Sequence, residues 1–435
     1  MKVLIRNARI ISATSSFKNQ LKDILIEDGI ISQVADLIAS ENVDIIDIKG
    51  LHVSEGWMDC FANFCDPGYE YKETIHSGSL AAAAGGYTSV MLIPNTDPVI
   101  DNKAQVEYIK QQNDPLVEIF PIGAVTKKCA GIELAEIYDM YSSGAIAFSD
   151  GLKPIQSSGI LLKALQYVLA FGGTVIQVPD DQSIGRSGVM NEGVMSTMLG
   201  LPGKPAIAEE LLIARDITLS LYTGSRIHFT GITSINSLHM IQKAKDKGAN
   251  VTCSIAPYHF SFCDEDLQDY DTNFKVNPPL RTKENMFLLK EALIDKKIDF
   301  IASHHQPQNW DSKACEFEYA GYGMNTLESI FGASMNTGID MHTFVQMQTV
   351  NIRNIFNLPL LSIEVGAIAN LTLFDPHDEF ITVSGLSYSK SKNNAFDNTR
   401  LRGKTHGIIN GKKIFLNSNH LNQNCNDTKH HFNYI

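Results

Sequence analysis

The hydrophobic pattern of this 435-residue chain changes period twice. Near the start, Val3, Ile5, Ala8 and Ile10 lie among polar residues, close to the two-residue repeat of a half-buried strand. Asp23-Ile24-Leu25-Ile26-Glu27 runs into Asp28-Gly29, a two-residue hairpin signal, and Ile30-Ile31-Ser32-Gln33-Val34 is the expected return strand. Val43 to Val53 supplies one or two strands more. From about residue 55, short apolar runs alternate with amphipathic segments of helix length. The runs lie at 88–93, 117–122, 145–148, 173–177, 226–229, 251–255 and 299–303. Strand and helix alternating at this spacing predict a parallel β/α barrel, and the number of runs is near eight. From about Ser362 the pattern returns to β, with runs at 367–375 and 407–415; the second holds Asn410-Gly411, another hairpin signal. The chain thus divides into 1–54, half of a small β-sandwich; 55–361, the barrel; 362–416, the second β part; and 417–435, a polar, asparagine-rich tail expected to be mobile.

Composition narrows the classes of function. A chain of this length buries a large interior and is expected to form one big domain with a smaller one attached. The net charge of -12 argues against a nucleic-acid partner, which would need a basic face. No apolar run is long enough to span a bilayer and the start lacks a signal-peptide layout, so no membrane role is expected. Cysteines stand at 60, 65, 129, 253, 263, 315 and 425, an odd number without a Cys-x-x-Cys pair. Buried free thiols in a reducing cytoplasm are the expected reading. Cys60 and Cys65 flank a strand end at odd spacing, which turns them to opposite faces and opposes shared metal ligation.

The chemistry-bearing stretch is Asp59-Cys60-Phe61-Ala62-Asn63-Phe64-Cys65-Asp66-Pro67-Gly68. It has the frame of a metal-binding motif in which an aspartate precedes His-x-His-x-Arg and then Asp-Pro-Gly. Further stretches fit the same frame. They are Asp66 to Glu73, Ala83-Ala84-Gly85-Gly86-Tyr87-Thr88, Pro94-Asn95-Thr96, Met190-Asn191-Glu192-Gly193 and Leu199-Gly200-Leu201-Pro202-Gly203. Later come Lys275-Val276-Asn277-Pro278-Pro279-Leu280-Arg281 and Ser389-Lys390-Ser391-Lys392-Asn393-Asn394. Over almost its whole length the chain resembles the dihydroorotase family. The resemblance implies the fold class: α/β, a (β/α)8 TIM-like barrel beside a small β-sandwich domain built from both chain ends.

Carried over one position at a time, the resemblance places the family's metal ligands on Phe61, Asn63, Asp150, Gln177, Gly231 and His304. The arginine that grips a substrate carboxylate falls on Cys65, and His304 takes the place of the aspartate that normally acts as base. Only Asp150 keeps the family's residue type. Phenylalanine has no lone pair to give, and an asparagine amide is a poor zinc ligand beside imidazole, thiolate or carboxylate. The family's reaction needs a hydroxide at neutral pH and a polarised amide carbonyl, both supplied by metal. No catalytic residue, metal or other cofactor is therefore expected, and a thiol at 65 cannot replace a bidentate arginine. Asn95, Asn277, Tyr322 and Gly323 remain at substrate-binding positions, while the assisting histidine of the family falls on Gln308.

Structural roles stand beside these readings. Adjacent His304 and His305 point apart on a strand and make poor co-ligands; hydrogen-bonded barrel histidines are expected there and at His228 and His259. Asp66-Pro67-Gly68 reads as a turn and Gly85-Gly86 as a helix-to-strand connection. His430 and His431 read as surface residues. The resemblance makes a non-catalytic homologue that supports aspartate carbamoyltransferase the expected function, with a homodimer as the expected assembly. The alternatives are an active, zinc-dependent dihydroorotase or related cyclic amidohydrolase whose site is rebuilt from His304, Asp150 and Cys65, and a metal-free sensor using Asn95, Asn277 and the emptied pocket.

Overall fold

The computed structural model describes residues 1–39, 41–112 and 116–417. Apart from Asn417, the tail lies outside them, and with it Cys425, His430 and His431. The N-terminal strands are Lys2–Ile10 (β1), Leu21–Glu27 (β2), Ile30–Ala35 (β3), Asp44–Ile46 (β4) and His52–Glu55 (β5). The barrel begins with Trp57–Ala62 (β6), Tyr87–Leu92 (β7), Glu118–Gly123 (β8), Ala147–Phe148 (β9) and Thr174–Gln177 (β10). A short parallel pair, Met190–Asn191 (β11) and Gly203–Lys204 (β12), interrupts it. Arg226–Phe229 (β13), Val251–Ile255 (β14) and Phe300–Ile301 (β15) complete the parallel order β6-β7-β8-β9-β10-β13-β14-β15. All seven runs of the sequence pattern are strands here, and the motif stretch supplies the eighth.

Asn370–Ile381 (β16), Arg400–Asn410 (β17) and Lys413–Leu416 (β18) join the N-terminal strands in one sheet, ordered β18-β17-β16-β5-β1-β2-β3, with β4 beside β1. Both chain ends thus share a single continuous sheet. Its β3 edge returns to the start of β16 through the Ile30–Ile368 bridge, which wraps the sheet around a core of Val3, Ile5, Ile24, Ile26, Leu371 and Leu373. The Asp28-Gly29 turn has positive φ at both residues (50° and 84°) and joins β2 to β3 as expected. The second hairpin needs correction. Asn410 pairs with Lys413, so the turn is Gly411-Lys412 and Asn410 is the last strand residue. The cause is Gly411, whose φ of +57° supplies the left-handed position one place later than the dipeptide suggests. No helix among the described residues is long and apolar enough to cross a membrane.

Candidate functional site

The barrel closes where the motif lies. Ala62 of β6 bridges His305 just after β15, and the Asn63 N–H donates to the His305 carbonyl at 2.9 Å. Below this seam Asp59 is fully buried and accepts from the backbone N–H and the hydroxyl of Ser303, both at 2.6 Å. Burial raises its carboxyl above the usual range despite these bonds. Asp59 thus ties the tips of the first and last strands together and sets where Phe61 and His304 stand.

Those two side chains meet at the centre. The Phe61 ring lies 4.6 Å from the His304 ring, tilted by 32°, and both residues are buried. His304 holds a positive φ of 46°, and its Nε2 hydrogen-bonds Thr230 Oγ1 at 2.7 Å. The chain continues through the Ser254 hydroxyl, which donates to Thr230, to His228, whose two ring nitrogens bond Ser254 and Thr252 at 2.9 Å. Burial pushes His304 and His228 down to about 3, so both imidazoles are neutral at pH 7. Gly231 completes the arrangement. A Cβ there would lie 2.6 Å from His304 Cε1, closer than such atoms approach. The imidazole of 304 therefore fills the room that a side chain at 231 would need.

The other ligand positions are engaged elsewhere. Asn63 Oδ1 accepts the Cys65 N–H at 2.8 Å, a local turn that holds Cys65 at φ 59°. Burial pushes the Cys65 thiol up to about 12, far from a metal-binding thiolate. Gln177 donates to Asp216 at 3.2 Å, and Arg215 pairs with the same carboxylate at 2.7 Å. Asp150 accepts from both the N–H and the hydroxyl of Thr126, while burial raises its carboxyl to about 6. As arranged, these side chains do not fit zinc. Gly231 has no donor, Phe61 occupies the approach to His304, and the oxygens of Asn63 and Asp150 already accept hydrogen bonds from the protein. Among the described residues, no group of three or more His, Cys, Asp or Glu side chains is placed to share a metal.

Of the four substrate-position residues, Asn277 and Tyr322 share a cavity and Asn95 and Gly323 lie outside its lining. Asn95 donates to the Asp150 carbonyl at 3.1 Å and accepts the Leu152 N–H at 2.9 Å, so its amide holds the loop after β9. Asn277 accepts from Lys204 at 2.8 Å and, with Tyr322, lines a cavity whose walls do not include Phe61 or His304. Gly323 has φ +132° and its N–H donates to the Lys275 carbonyl, a loop role. Gln308 donates to the Tyr322 carbonyl at 2.7 Å. His305 and His259 behave as the structural reading expects, His305 accepting the Thr326 N–H and His259 bonding the Pro278 carbonyl.

Three residues emerge that sequence reasoning did not single out. Glu73 is fully buried and accepts from Ser77, Ser389 and the Lys390 N–H, with His305 3.7 Å away. Burial works to raise its carboxyl, but the neighbouring His305 ring and the two hydroxyls bring it below the usual range. Arg281 bonds Thr233, Asn191 and the Lys204 carbonyl beside the buried Glu209. Both lie inside stretches that carry the family frame, but nothing local in the sequence marks their partners. Lys204 had no signal at all.

Comparison with known proteins agrees with this architecture. Residues 53–237 match a family model described as "Dihydro-orotase-like". The dihydroorotase of Acetivibrio thermocellus is 38% identical over 420 residues, covering 95% of this chain and 98% of the relative. That of Ruminiclostridium cellulolyticum is 38% identical over 429 residues, covering 96% and 100%. Among solved structures, the L-hydantoinase (dihydropyrimidinase) from Arthrobacter aurescens superposes with a TM-score of 0.84 at 21% identity, over 95% of each chain. The D-hydantoinase (dihydropyrimidinase) from Thermus sp. gives 0.79 at 20% identity, over 95% and 94%. At these identities the structural likeness concerns the fold: a parallel barrel with an accessory sheet.

Proposed function

Because the chain belongs to the dihydroorotase family of amidohydrolases, we propose that it is a dihydroorotase-like protein of pyrimidine biosynthesis that does not hydrolyse its relatives' substrate. In this reading it works in the cytoplasm, as a homodimer, and as a structural partner of aspartate carbamoyltransferase. The observation that carries the loss of hydrolysis is the contact of Phe61, His304 and Gly231. A tilted ring pair, 4.6 Å between centroids, occupies the positions of two family metal ligands, one of which is also the family's catalytic base. Asp150 by itself cannot hold a divalent ion against hydration, and without a metal nothing at this site lowers the pKa of a water. Neutral, buried His304 spends Nε2 on Thr230.

The partnership rests on the resemblance alone, and its test is separate. Elemental analysis of the purified protein, paired with an assay of dihydroorotate and carbamoyl aspartate interconversion, is expected to give substoichiometric metal and no turnover. Stoichiometric zinc with turnover would establish the active, rebuilt enzyme instead. Size-exclusion chromatography with aspartate carbamoyltransferase is expected to show a joint complex. A transferase that is fully assembled and active alone, and that never co-elutes, overturns the partnership while leaving the catalytic reading untouched.

A further inference from the structure

The helix Ile207–Thr223 lies on the outside of the barrel with its polarity reversed. Its four charged residues turn inward or bond to neighbouring elements. Glu209 and Asp216 are buried, and Glu210 accepts from Ser234 and Asn236. Arg215 pairs with Asp216 and donates to the carbonyls of Ile155 and Gln156. The exposed residues are Ile207, Leu211, Ala214, Thr218, Leu221 and Tyr222, which recur at the three-to-four spacing of one helical stripe. None of the six carries a charge, and the Thr218 hydroxyl already donates to the Ala214 carbonyl at 2.9 Å. Tyr222 at the far end is 76% exposed. The next helix, Ile235–Asp246, shows the ordinary pattern, with Lys243 and Asp246 exposed. A long helix that is apolar inside and out is one that is covered on both sides.

We propose that this stripe is the contact between two copies of the chain, packed antiparallel about a two-fold axis beside Ala214. The stripe itself selects a second copy over another partner. It carries no charge for a partner to answer, and its order is nearly the same read from either end. Reversal about the midpoint between residues 214 and 215 exchanges positions 207 and 222, and positions 211 and 218. Large side chains thus stand at both ends. The smallest, Ala214, stands at the middle, where two helices packed about 8–10 Å apart come closest. A two-fold contact needs this self-complementarity. The area suffices as well. The helices Ser158–Leu169 and Gln182–Gly185 pack against this one and add exposed Tyr167, Leu169 and Ile184. At about 1.5 Å per residue and about 10 Å of width, the three helices offer about 500 Å² per copy. The pair therefore covers about 1,000 Å², the level that a specific interface reaches. The inference rests on the homodimer of the proposed function, names its surface, and is independent of whether the barrel hydrolyses anything.

Sedimentation velocity of the full chain and two variants tests it. The native protein is expected at twice the mass of one chain. The double variant Leu211→Glu/Leu221→Glu is expected at the mass of one chain with an unchanged circular dichroism spectrum, because both positions are exposed. Lys243→Glu, on the neighbouring charged face, is expected to remain dimeric. Ala214→Cys is expected to give a disulfide-linked dimer on mild oxidation, which the native chain does not give, since the new thiols meet at the axis. The cross-link decides the matter should the double variant misfold. A folded double variant that stays dimeric, or no cross-link at 214, overturns the assignment and leaves the homodimer standing. A native chain that sediments as a monomer overturns both. If that monomer binds aspartate carbamoyltransferase and the double variant does not, the stripe belongs to the transferase.

Discussion

A methyl group on residue 231 would collide with His304 Cε1 at 2.6 Å, in a backbone conformation (φ +68°) that also disfavours any side chain. The two costs are separable. Gly231→Ala is expected to destabilise the protein by roughly 2–4 kcal/mol, part steric and part from the left-handed backbone. Adding His304→Ala should recover the steric part, giving a coupling of about 1–2 kcal/mol in a double-mutant cycle read by denaturant unfolding. Additive effects would show that the two residues do not share the space. Asp150 gives a pH test. Burial raises its folded carboxyl from 3.8 to about 6, so between those values the folded state binds more protons than the unfolded one. Its contribution favours folding below about pH 4 and is lost as pH rises through about 6. Relative to Asp150→Asn, the native protein should therefore lose roughly 2–3 kcal/mol between pH 4 and 7. His304, depressed to about 3, acts in the opposite direction: its contribution is present above 6.5 and is lost as pH falls toward 3. Which residues the resemblance puts at the expected ligand positions could be read from the sequence. The exchange of volume between 231 and 304 was not, because 73 positions separate two residues that meet only when the barrel forms.

At the scale of elements, the loops above the strands are held by a few buried charges. Glu209, near the start of the helix Ile207–Thr223, accepts the Thr233 and Ser234 N–H groups at 3.0 Å and so anchors the turn into the helix Ile235–Asp246. Arg281 stands 4.0 Å from the same carboxylate and bonds Thr233, Asn191 and the β12 carbonyl of Lys204. Arg281→Met is expected to cost about 3 kcal/mol or more, because it leaves Glu209 buried and unpaired. A thermal midpoint within experimental error of the native protein would refute that account. The alternating barrel strands and the Asp28-Gly29 turn were readable from period and dipeptide. The Gly411-Lys412 turn was misplaced by one residue, since a dipeptide rule does not see the register that β16 and β17 impose on Asn410. Arg281 was visible only as part of a run of letters; its four partners lie far away in sequence, on β11, β12, a helix and a turn.

Across the whole molecule, the barrel and the late loop before β17 are joined through Glu73. Its carboxylate receives Ser389 and Lys390, while Asn393 donates to the carbonyls of Gln306 and Gly323 and accepts the Gln308 N–H. Fold class and the joining of both chain ends followed from pattern and resemblance, but this clamp did not, because buried carboxylates announce themselves only by their partners. If stability rests on such internal contacts and not on a bound ion, treatment with a strong chelator should leave the thermal midpoint unchanged. A protein stabilised by metal would lose the binding contribution and melt earlier.

The fit of the 304 imidazole into the space beside Gly231 also imposes an order on change. A histidine cannot enter at 231 while the one at 304 remains, and an aspartate at 304 with glycine at 231 leaves a void beneath Phe61. Each of these two single steps toward a metal-holding barrel is thus expected to lower stability, and the loss is relieved only when both are taken together. The present centre is easy to keep and hard to leave, by selection or by design.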